Sequence, residues 1–173
     1  MESNDGAKFK GRFELEVYDK LGGKLISKTE CHNIVTDEGL NDMLNVYLHD
    51  TLKIATWYCG LFESDTTPDG AETYDVQVFT ESTAYDEATR PEFNNAASTA
   101  KSTTNSANKA VFTASATKTF YGAFIASVNT KGDSTAGSRN VLFCCGKFST
   151  AQPVIDGNVC NLTYTNTSAD DGV

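Results

Sequence analysis

The chain has 173 residues, 39% of them hydrophobic, with a formal net charge of −9. This length suits one domain with a thin core, and no stretch approaches the ~20 apolar residues needed to cross a bilayer. Residues 1–93 carry 8 basic and 19 acidic side chains, a net of −11, against +2 for the remainder; an acidic first half argues against nucleic acid as a partner, since phosphate calls for clustered Lys and Arg.

The first ten residues are polar and lack the apolar run of a secretory leader, so they read as a flexible arm on a chain made and kept in a cytoplasm. Phe13, Leu15 and Val17 alternate with Glu14 and Glu16, the pattern of a half-buried strand. Gly22-Gly23 signals a turn, and Leu25 to His32 returns as the second strand of a hairpin.

A helix is expected near residues 37–49. Thr36 suits the N-cap, and Asp37 and Glu38 place negative charge in the first turn. Leu40, Met43, Leu44, Tyr47 and Leu48 form an apolar stripe that should lie on a sheet, with Asn41, Asp42, Asn45 and His49 turned to solvent or a partner. Gly39 costs about 1 kcal/mol against Ala in a helix and either permits a close backbone approach or is merely tolerated. Ile54 to Phe62 reads as the next strand, with Trp57 as a core anchor. Glu63 to Gly70 is turn-rich, and Tyr74 to Thr80 is a short strand candidate.

Residues 81–108 break the pattern. From Asn94 to Asn108 there is neither an aromatic nor a large aliphatic side chain, so the stretch is expected to be disordered or a contact arm. Arg90, Pro91 and Phe93 open it. An Arg beside an aromatic on a loop suits an interface anchor, and the competing reading is a tether in which Phe93 tucks into the domain edge and Arg90 pairs with Asp86 or Glu87. Candidate partner-contact residues are Arg90, Pro91, Phe93, Asn94, Asn95 and Lys101.

Beyond this stretch the chain reads as strands throughout. Ala110, Phe112 and Ala114 alternate, then Phe120, Gly122, Phe124 and Ala126, then Val141, Phe143 and Cys145, and Leu162 with Tyr164 closes the series after a turn at Asp156–Asn158. The fold class is therefore mainly β: an antiparallel, jelly-roll-like β-sandwich over residues 11–166 with one amphipathic helix and a frayed tail at 167–173.

No catalytic constellation stands out, so the chain reads as non-enzymatic and without a cofactor. The two histidines are isolated, and neither a phosphate loop nor a nucleophile elbow is present. The five cysteines lack metal-ligand spacing and read as buried hydrophobes, with adjacent Cys144 and Cys145 on opposite faces of a strand. Asp65, Asp69, Glu72 and Asp75 offer oxygens to a hard cation without the spacing of a known calcium loop; the plainer reading is a solvated turn.

Residues 33–44 (NIVTDEGLNDML), 57–62 (WYCGLF), 89–93 (TRPEF), 108–113 (NKAVFT) and 121–125 (YGAFI), in that order, resemble a group of small structural proteins of tailed-bacteriophage virions. The resemblance implies a capsid decoration or cement protein that binds and stabilises the assembled shell, or alternatively a tail or host-recognition accessory. It implies a virion location, with the major capsid protein and copies of itself as partners and no role for nucleic acid or membrane. The polar first ten residues and the insert at 94–108 fall outside it.

Overall fold

The structure, a computed structural model, describes residues 7–20 and 23–170. The first strand, β1 (Ala7–Tyr18), puts Phe13, Leu15 and Val17 inside, as their alternation requires. It pairs antiparallel with β2 (Leu25–His32), Phe13 opposite Cys31. The hairpin turn is held by the Asp19 carboxylate, which accepts from Gly23 N–H at 3.0 Å; Gly22 lies outside the described residues. The chain crosses to the second sheet at Asn33 and forms β3 (Ile34–Val35), then α1 (Asp37–Leu48). Next come β4 (Tyr58–Phe62), β5 (Ser102–Thr104), β6 (Ala110–Thr113), β7 (Lys118–Ala126), β8 (Leu142–Val154) and β9 (Val159–Asp170).

Among the described residues these strands form two antiparallel sheets, bearing out the sandwich with one helix. One has the order β2-β1-β9-β5, with β6 also on β9; the other has the order β3-β8-β7-β4. The main core lies between them and includes Phe13, Leu15, Phe112, Ile125 and Leu162. A second cluster, Phe62, Tyr74, Phe79, Phe124, Leu142 and Cys145, covers the far side of the four-stranded sheet. Cys144 and Cys145 face these two cores respectively, as expected of neighbours in a strand. The second cluster explains why β4, β7 and β8 are buried almost continuously: loops seal the sheet's other face.

Four sequence expectations change. Residues 74–80 are loop rather than strand, yet Tyr74 and Phe79 are buried because they roof the second core. In β7 the register shifts between Phe120 and Gly122, so Phe120 faces the main core whereas Phe124 and Ala126 face the second; a bulge reverses the alternation. Residues 7–10, expected in a flexible arm, are the start of β1 and pair with β9 as far as Ala7 opposite Asp170, which also orders 167–170 of the expected tail; residues 1–6 and 171–173 lie outside the described residues.

The fourth change concerns 81–108, which is ordered along the domain rather than disordered. It runs along open strand edges. Ser82 N–H reaches Leu61 O at 2.8 Å, Cys59 N–H reaches Pro91 O at 2.8 Å, and Phe93 N–H reaches Trp57 O at 2.8 Å, so both ends of β4 are covered. Asp86 N–H meets Thr113 O on β6, and Ala96 N–H meets Thr104 O on β5. Sheet edges left open invite pairing with other chains, and this polar segment occupies them. Asn105 is fully buried between β5 and β6: its amide donates to Leu162 O at 3.2 Å and accepts from Tyr164 N–H at 2.8 Å, standing in for a strand pairing.

Candidate docking surface

The helix begins as expected: Thr36 Oγ accepts from Gly39 N–H at 3.0 Å and donates to the Leu142 carbonyl. Gly39 then decides how the helix sits. A Cβ there would overlap the backbone of Phe143, so the glycine lets the first turn press directly onto β8. That contact rotates the helix. Its buried positions are Gly39 and Asp42 rather than the apolar stripe. Asp42, expected in solvent, is inside and accepts from Arg139 Nη1 at 3.1 Å; the other Arg139 Nη donates to the Leu52 carbonyl, pinning the segment after the helix. Glu38 is also turned inward, accepting from Leu142 N–H at 2.6 Å and Tyr74 N–H at 2.9 Å; burial raises its carboxyl above the usual range despite both bonds.

The result is an uncovered apolar face. Leu44 is 56% exposed, Tyr47 90%, Leu48 79% and Leu52, just past the helix, 86%. Beside them runs a groove of about 1090 Å³, with the Trp57 and Phe143 rings, 5.4 Å apart, also among its lining residues. Trp57 is therefore half-buried at the margin of the main core rather than at its centre. Phe9, Lys53 and Ser98 also border the groove.

The expected contact residues separate into an inner and an outer set. Arg90 is 2% exposed and sits inside the protein. Its Nε and one Nη clasp the Glu81 carboxylate at 2.8 and 2.6 Å, and the remaining donors reach Tyr74 OH, Val128 O and Asp133 O at 2.8–3.0 Å. Every guanidinium N–H is occupied. The partner is Glu81, not Asp86 or Glu87; Glu87 instead accepts from Thr113 N–H on β6. Pro91 and Phe93 are half-buried, and the Phe93 ring lies 5.4 Å from Tyr164, as a tether would. Asn94, Asn95 and Lys101 are exposed. They lie on a ledge, 94–101, that is exposed throughout; Asn95 braces it on Thr103 Oγ1 at 2.7 Å, and Lys101 turns the chain with a left-handed φ of 60°. Ser98 of this ledge borders the helix groove, so the ledge meets the unexpected helix face at that residue, whereas Asn94, Asn95 and Lys101 do not line the groove. The sequence signal for that face was present in Leu44, Tyr47 and Leu48; the missing information was which side Gly39 presses down.

Elsewhere the ionisable groups serve internal ends. All five cysteines are free and buried, and burial pushes the thiols of Cys31, Cys144 and Cys160 up to about 12, far from reactive thiolates. The four carboxylates at 65–75 go separate ways: Asp65 to Lys147 at 2.5 Å, Asp69 to Ala71 N–H, Glu72 to Val78 N–H and Asp75 to the Thr73 hydroxyl. Among the described residues, His, Cys, Asp and Glu are nowhere grouped in threes suited to a metal ion, and no helix is long and apolar enough to cross a membrane. No protein-family model matches the chain, and no curated protein matches it.

Proposed function

We propose that the protein is a non-enzymatic bacteriophage virion component, a capsid decoration protein that binds the assembled shell and braces it. The observation that carries this reading is the continuous surface made by the helix face and the 94–101 ledge, set on a body whose β4, β5 and β6 edges are already closed by its own chain. At those edges the body resists edge-to-edge pairing and meets other proteins through side chains. The resemblance of residues 33–44, 57–62, 89–93, 108–113 and 121–125 to phage structural proteins supports the same reading. The partners are the major capsid protein and copies of this chain, and the location is the virion. Many identical weak contacts on a symmetric shell add up through avidity.

Co-sedimentation tests it. Purified protein added to shells lacking it should saturate at a fixed ratio to the major capsid protein, set by the shell's symmetry. Failure to co-sediment, or saturation at only a handful of copies per particle, would overturn it, the second result in favour of a tail accessory.

A further inference from the structure

We propose that the exposed face of α1 pairs with the same face of a second copy, the two helices antiparallel about a two-fold axis. This locates the contact between copies included in the reading above, and rests on that reading only in supposing that copies meet. Three observations favour a second copy over another occupant.

The first is area. Tyr47, Leu44, Leu48 and Leu52 are exposed by 90%, 56%, 79% and 86%. Their free surface comes to roughly 600 Å² per copy, the top of the range for an unpartnered monomer patch, and a two-fold pair would bury at most about 1,200 Å², where specific interfaces begin.

The second is self-complementarity. A two-fold contact uses the same patch twice, so knobs and hollows must both lie within it. Here the projecting Tyr47 and Leu48 stand beside the groove whose lining includes Trp57 and Phe143, and the helix of one copy supplies what the groove of the other takes.

The third is charge. The first turn carries exposed Asp37, and the last turn is followed by exposed His49, Asp50 and Lys53, of which Lys53 lines the groove and Asp50 does not. Antiparallel pairing sets Lys53 of one copy toward Asp37 of the other and opposes the two helix dipoles. Parallel pairing would set like charges together. Inside the patch the one carboxylate, Asp42, is already neutralised by Arg139, so nothing ionised is stranded on closure.

Sedimentation equilibrium of the full chain tests the pairing. A reversible dimer is expected, at twice the 18.7 kDa chain mass, with a dissociation constant of roughly 10 µM. Leu48→Glu should weaken it at least tenfold while leaving circular dichroism and the urea midpoint of the dilute monomer unchanged, because Leu48 is largely exposed. Lys53→Glu should weaken it less, and Lys53→Glu with Asp37→Lys should restore it. A monomer at all concentrations up to about 1 mM, or a dimer indifferent to Leu48→Glu, would overturn the pairing. A monomer that still saturates shells would sink the pairing and leave the shell reading standing; a Leu48-dependent dimer that ignores shells would do the reverse.

Discussion

Arg90 gathers five hydrogen bonds in the interior and, through them, joins the loops at 74, 81, 128 and 133 into one roof over the second core. Arg90→Ala would leave the Glu81 carboxylate, whose side chain is only 7% exposed, without its counter-charge and with the Gly132 N–H as its remaining donor. A loss of about 3–5 kcal/mol is expected, read as a lowered urea midpoint; a change under 1 kcal/mol would mean the roof does not depend on the pair. Glu16 makes a smaller test at the opposite surface. Its hydrogen bond from Lys109 Nζ at 2.7 Å lowers its carboxyl below the ordinary 4.5, burial working the other way. A carboxylate held low in the folded state stabilises above its unfolded pKa, and that stability is lost as pH falls below 4.5 toward the folded value. Lys109→Gln should move the Glu16 carbon resonance titration up toward 4.5, at a cost of about 0.5 kcal/mol at pH 7; an unmoved titration would deny Lys109 its role.

At the scale of elements, Gly39 has the largest consequence. Ala is the better helix former by about 1 kcal/mol, yet Gly39→Ala should destabilise by about 1–3 kcal/mol because the methyl meets the Phe143 backbone. Stabilisation in a thermal melt would contradict the close approach. This glycine also shows where sequence reasoning stops. The N-cap Thr36, the hairpin of β1 and β2, and the strands around Phe112 and Leu162 were legible, because capping and alternation are local signals. The orientation of the helix was not, since hydrophobicity marks Leu44, Tyr47 and Leu48 as a face without saying what covers it. The reversal along β7 was hidden for a related reason: a shift in its pairing with β8 inverts the phase, and no composition announces it. Residues 81–108 misled because a segment poor in apolar side chains can still be ordered by hydrogen bonds, from the Asn105 side-chain amide and from the backbone along the β4 edge.

For the whole molecule, the acidic first half has an internal explanation. Glu38, Glu72, Glu81 and Glu87 accept backbone N–H groups or Arg90 within the fold, and Glu14 and Glu16 lie in a lattice with Arg12, Lys28 and Lys109 on the outer face of the first sheet. Part of the negative charge therefore ties loops and strands together. On the proposed reading, partners meet the apolar helix face and the polar 94–101 ledge with its exposed Lys101, and extra buried area at subunit junctions is how such a surface would brace a shell. Rupture of genome-filled shells on heating measures that bracing directly. Shells saturated with this protein should release their genome at a temperature several degrees above bare shells, and the Leu48→Glu protein should shift it less. Identical rupture temperatures for bare and saturated shells would contradict the proposal that this protein works by holding other proteins together.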